Sequence, residues 1–246
     1  MTQNAIVTRS TGPSRRRVLR RRIGRTGWVV MTVLCFATLA LVAPYLQFNP
    51  TSYFEEQRPV YLRREVTLGL HICGSMVALA IAPFQLLPRL RRRRARVHRV
   101  LGFTYLTAAT VGGLAGLGMA TTAYTGTVAS LGFAAMAISW LACTWVGFRL
   151  IMRGRIADHR RWMIRSISLV LGGVTLRLIL GTYSAVENSI HSWLPFSTIY
   201  AATAWLCWVP NLLIALRITR TSAQVPRSRP SESSEGRWAR ARAARR

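Results

Sequence analysis

The chain has no lysine and almost no acid. Of its 246 residues, 34 are basic, all of them arginine, against seven Asp and Glu, for a formal net charge of +27. Combined with a hydrophobic fraction of 51% and a mean hydropathy of +0.25, that imbalance excludes an ordinary soluble domain unless charge and apolar residues are segregated along the chain. They are segregated. Paired thiols are missing too: Cys35, Cys73, Cys143 and Cys207 all fall within apolar runs, with no C-x-x-C. This excludes a dithiol redox motif and predicts four small core residues. A P-loop, a zinc motif and a soluble-type catalytic triad are absent as well. Nucleic-acid binding is not expected, because that would need a polar basic face interleaved with aromatics, whereas these arginines sit between apolar segments of spanning length. Retention of positive charge on the cytoplasmic side explains them more simply.

An apolar run of about 20 residues, rising about 1.5 Å per residue, crosses a bilayer core. Six such windows occur: Gly27 to Leu46, Val66 to Leu87, Val100 to Tyr124, Thr127 to Ile151, Trp162 to Tyr183 and Leu194 to Leu216. The expected fold is therefore an all-α, polytopic membrane bundle of six transmembrane helices occupying 27–216. Residues 1–26 read as a basic cytoplasmic tail and 217–246 as a disordered basic cytoplasmic tail. Ser14 to Arg20 (SRRRVLR) resembles a twin-arginine export signal, but Pro44 follows the only small-residue cleavage site and five spans come after it, so a retained topogenic anchor is expected. The 88–99 and 152–161 loops are arginine-rich, whereas the turn at Thr125 and Gly126 and the 184–193 loop are not. Alternation at each crossing puts both termini in the cytoplasm of a bacterial inner membrane. Arg58, Arg63 and Arg64 dissent, with Glu55, Glu56 and Glu65 among them.

Small or polar residues recur at helical spacing in three spans: His71, Gly74, Ser75, Ala78, Ala82 and Gln85 in the second; Gly102, Ala109, Gly113, Gly116 and Ala120 in the third, overlapping a GxxxG at Gly112 and Gly116; Ser166, Gly173, Arg177, Gly181 and Ser184 in the fifth. Such stripes let helices approach closely in lipid, so the three are expected to face one another. That places His71 and Arg177 in the bundle interior. Arg177 lies fifteen residues beyond Trp162, about 22 Å along the axis, and His71 five beyond Val66, about 7 Å in from the opposite edge. The two share a depth. A membrane-buried arginine marks a functional site and needs an anion. The functional reading is a pocket in the outer half of the bilayer, with Arg177 orienting an anionic or carbonyl group and His71, Glu65 or Glu187 exchanging a proton. The structural reading is that Arg177 snorkels or pairs with Glu187.

A second cluster is cytoplasmic: His98, His159, Arg160, Arg161 and Arg165 suit an anionic lipid head group, or else simple interface anchoring beside Trp162. His98 and His159 match in depth, so one b-type haem is conceivable; otherwise no metal ligand set is expected, and His71 has no second histidine at its level. In the sixth span, WLCWVPN carries Trp205, Trp208, Pro210 and Asn211. Pro210 frees a backbone carbonyl that Asn211 can satisfy, or Asn211 can reach across helices. With Tyr183, these residues are candidate ligand contacts; Trp193 is nearby in sequence.

Taken together, His71-Ile72-Cys73-Gly74, Pro83-Phe84-Gln85, His98-Arg99-Val100-Leu101-Gly102, the run from His159 to Ser166, Thr175-Leu176-Arg177 and the run from Trp205 to Asn211 resemble the bacterial membrane family called domain of unknown function 2306, over roughly Val66 to Leu216. The resemblance implies a polytopic inner-membrane protein and no particular activity. Three readings follow from the residues. The first is a protein that binds or converts an amphiphilic, lipid-like molecule such as an isoprenoid or quinone. An acid-initiated isoprenoid cyclase is one case, with Glu65 or Glu187 as proton donor and Tyr183, Trp205 and Trp208 facing the cation. The second is a haem- or quinone-linked redox protein. The third is a non-catalytic accessory subunit for an unidentified membrane protein or an anionic lipid.

Overall fold

Helical breaks in this bundle fall where proline or glycine interrupts an apolar run, and those breaks position the polar residues of its interior. The computed structural model describes residues 15–47, 55–190 and 194–221. Among them there is no strand, and six segments are long and apolar enough to span a membrane. The expectations for residues 1–14 and 222–246, and for Trp193, lie outside the described residues.

Helix α1 (Arg15–Val42) begins well before the expected start at Gly27 and supplies the first span. Ala43–Gln47 tightens into a 3-10 turn, because Pro44 has no N–H to donate back and its ring crowds the preceding turn. A short helix, α2 (Arg58–Arg63), with Pro59 in its first turn, precedes the second span, α3 (Glu65–Gln85). The arginine-rich connection forms α4 (Pro88–Arg93) before α5 (Ala95–Ala120), and a turn through Gly126 at φ +73° leads to α6 (Thr127–Met152).

The fifth span is two helices, α7 (Ile156–Val170) and α8 (Gly172–Ile190), where the sequence read as one. The sixth is α9 (Phe196–Leu206) and α10 (Val209–Thr221), broken ahead of Pro210. Asn211 reaches across helices, one of its two expected uses. Its Nδ2 donates to Thr175 Oγ1 on α8 at 3.0 Å, tying the two broken spans together, and to the Cys207 carbonyl at 3.1 Å rather than to the Leu206 carbonyl, whose i+4 donor Pro210 removes.

The stripes of spans two and three meet as expected, and α3 against α5 is the most extensive helix contact. A Cβ on Gly74 would lie 2.6 Å from the Gly112 nitrogen and 2.7 Å from the Ala108 carbonyl oxygen, so the two backbones touch and only glycine fits. The fifth span departs from that pattern. Ser166 is buried, but a Cβ at Gly173 or Gly181 would meet nothing within 4 Å. Its stripe opens onto space rather than onto a neighbouring helix.

Large apolar side chains such as Val33, Leu41, Val66, Val100, Met152 and Ile218 point outward. This much exposed hydrocarbon is costly in water and ordinary against lipid tails. Cys35, Cys143 and Cys207 are buried, whereas Cys73 is exposed, contrary to expectation. Two residues from His71 is about 200° around the helix, which turns Cys73 away from the interior that His71 faces.

Candidate functional site

The polar interior divides into two parts. At mid-bundle, α5, α6 and α7 contribute Tyr105, Thr144 and Ser166, none more than 1% exposed, together with Trp140. Proton counting fixes the direction of every bond among them. Thr144 donates its only hydroxyl proton to the Trp140 carbonyl at 2.7 Å. Ser166 must therefore donate to Thr144 at 2.7 Å, and Tyr105 to Ser166 at 2.8 Å. The Trp140 indole N–H donates to the Tyr105 oxygen at 3.3 Å. The result is a closed ring in which each hydroxyl donates once and accepts once. Sequence reading singled out only Ser166 of these, because lone Tyr, Thr and Trp residues in apolar runs carry no spacing signal.

Above this ring, toward the end opposite the arginine-rich loops, lies a cavity of about 240 Å³. Both His71 and Arg177 line it, as sharing a depth required. The His71 Nδ1–H donates to the Gly112 carbonyl at 2.8 Å, which fixes the ring and its tautomer and leaves Nε2 with the lone pair. Gly116 flanks the imidazole so closely that a Cβ there would sit 2.8 Å from Nδ1. The guanidinium of Arg177 stacks over the Tyr45 ring, 5.0 Å from its centroid. It makes no hydrogen bond or ion pair with any described residue. The expected alternative of a structural pair with Glu187 is not formed. The cavity wall is otherwise largely apolar, with Gln57 and Tyr61 at the loop end and Trp140 toward the ring. Gln57 was missed, since nothing distinguishes it within a polar loop.

The remaining sequence candidates sit elsewhere. Neither Glu65, exposed at the start of α3, nor Glu187 lines the cavity. Tyr183 donates its hydroxyl to the Leu194 carbonyl at 2.9 Å, bracing α8 against the approach to α9. The Trp205 indole, 38% exposed, donates to the Val128 carbonyl at 3.1 Å, and Trp208 to the Ala204 carbonyl at 2.9 Å. Asn211 is committed to the staple described above. These four make helix contacts, and Tyr200 is the aromatic residue that α9 contributes to the cavity wall.

At the arginine-rich end, the head-group candidates divide. Arg161 and Arg165 line a cleft with Arg155, Trp162, Thr219 and Arg220, and Arg160 points to solvent. Asp158 accepts from Arg155 Nε at 2.7 Å and from Arg161. Arg165 lies 4.7 Å over Trp162, with Nε buried and unpartnered. His159 Nδ1 donates to the Gly147 carbonyl at 2.8 Å, and His98 lies within electrostatic reach of it while its own Nδ1 is buried without a partner. Neither histidine lines the cleft. Among the described residues no group of three or more His, Cys, Asp or Glu could hold a metal ion.

No curated protein and no solved structure matches the chain. A family model does match, over residues 68–219, which takes in His71, His98 and His159, the break in each of the fifth and sixth spans and most of the cavity wall. That stretch is more than half of the chain, which therefore belongs to the family described as predicted membrane protein (DUF2306).

Proposed function

We propose that the protein binds an amphiphilic, lipid-like molecule, of the isoprenoid or quinone type, with its polar head at His71 and Arg177 and its chain in the apolar part of the cavity. The supporting observation is that a charged side chain and an oriented imidazole share the wall of one largely apolar cavity inside a six-span bundle. Pockets for small molecules have this character, mostly apolar with a few convergent polar groups. Arginine clustering at the opposite end supports an orientation that opens the cavity toward the outer leaflet of a bacterial inner membrane.

The geometry favours binding over conversion. An acid-initiated cyclase needs a proton donor on the wall, and neither Glu65 nor Glu187 is there. Gly173 provides the test, since its Cβ direction is open and it borders the cavity. Purified protein, analysed by native mass spectrometry, is expected to retain a non-covalent amphiphile that Gly173→Phe expels and Gly173→Ala keeps. Undiminished retention by a folded Gly173→Phe protein would sink the proposal.

A further inference from the structure

Two hydrogen-bond donors on this wall have nothing to donate to, and they come from different elements. One is Arg177 on α8. The other is Gln57, just ahead of α2, which is 2% exposed although it belongs to a connecting segment. Its Oε1 accepts the Tyr61 hydroxyl, while its Nε2 is buried with no partner. A buried amide left unmatched costs about 1–3 kcal/mol, and the half-buried guanidinium has no countercharge on this wall among the described residues. Stacking on Tyr45 recovers only about 0.5–2 kcal/mol for the guanidinium. No carboxylate among the described residues lines the cavity to make up the difference.

We infer that the occupant is a single-chain amphiphile whose head is a small oxyanion, a carboxylate or a phosphate monoester, received by Arg177 and Gln57. This rests on the amphiphile reading of the cavity and narrows it. A neutral quinone carbonyl offers an acceptor but no countercharge. An oxyanion supplies several acceptor oxygens and neutralises the guanidinium, and charge-assisted hydrogen bonds are the stronger kind. His71 lies within electrostatic reach of Arg177, and its Nε2 lone pair suits a head that keeps one proton, as a phosphate monoester monoanion does. The tail then lies against Leu39, Val42, Leu68, Ile72, Met76 and Leu79.

The test uses the full chain in nanodiscs of zwitterionic lipid, at mildly acidic pH, where a phosphate monoester keeps one proton, and again at mildly alkaline pH, with four probes: hexadecanoate, hexadecyl phosphate, hexadecanol and a short-tailed ubiquinone. Binding is read by quenching of tryptophan fluorescence and checked by native mass spectrometry. At least one anionic probe is expected to bind about tenfold or more tightly than hexadecanol, matching a charge-assisted hydrogen bond of about 1.5–3 kcal/mol. Which of the two binds names the oxyanion. Arg177→Gln is expected to abolish that preference, and Gln57→Leu to reduce it several-fold. Because Gln57 precedes the second span, its variant tests the head site even if Arg177→Gln fails to fold. Equal affinity for hexadecanol and both anions, tighter binding of the quinone, or a preference unchanged in a folded variant would overturn the oxyanion head and leave the amphiphile reading standing. Failure of all four probes to bind would overturn the amphiphile reading itself.

Discussion

The hydroxyl ring and the cavity meet at Trp140, yet they treat polar groups in opposite ways. In the ring, every proton of Tyr105, Thr144, Ser166 and the Trp140 indole has an acceptor, and every hydroxyl oxygen a donor. In the cavity, the Gln57 amide nitrogen is buried with nothing to bond, and the half-buried Arg177 makes no hydrogen bond or ion pair with a described residue. Polar atoms inside a membrane protein are expensive, so a fully matched set is explained by architecture alone. An unmatched set beside empty volume needs another explanation, and a ligand supplies one. Polarity within a span is therefore a poor marker of function, and unsatisfied polarity is a better one.

The contrast breaks most severely at the helix crossing that supports both regions. Gly74→Val drives side-chain atoms into the Gly112 backbone, so it should abolish recovery of monodisperse protein in size-exclusion chromatography, whereas the same change at Gly173 should be tolerated. Next comes Ser166→Ala, which strands the Tyr105 donor and the Thr144 acceptor. It should cost about 1–3 kcal/mol for each stranded group, read as a lowered melting temperature in detergent, with ligand affinity unchanged once folded. Asn211→Ala removes two hydrogen bonds of about 0.6–1.5 kcal/mol each and should lower the melting point by less than Ser166→Ala. The smallest effect on stability is expected at the cavity. In ligand-free protein Arg177→Gln should leave the melting temperature unchanged or raise it slightly, because it removes an unpaired charge. A drop as large as that of Ser166→Ala would erase the distinction between the two regions.

Arg177 and His71 stand out in the sequence because ionisable side chains are rare in apolar runs, and helical counting gave their common depth. The Gly74 and Gly112 crossing was legible for a similar reason, since small-residue spacing reports directly on backbone approach. Asn211 was half legible: Pro210 announces the break and the amide does reach across helices, but the carbonyl it bonds is that of Cys207 rather than the Leu206 carbonyl that the proline frees. Gln57 left no trace, because a polar residue in a polar loop is unremarkable until the loop folds inward. Tyr183, Trp205 and Trp208 misled for the opposite reason. Aromatics near a pocket in sequence attract functional readings, but each of these donates its polar hydrogen to a backbone carbonyl. The break between α7 and α8 was also hidden, since glycine pairs in a span read equally well as packing.

The amide bridge from Asn211 to Thr175 joins two crossing segments at the level where each is interrupted. Neither can straighten or tilt there without carrying the other, so this pair bends as one jointed rod, and any rocking that widens the chamber around Arg177 must also reach the arginine-rich start of α7.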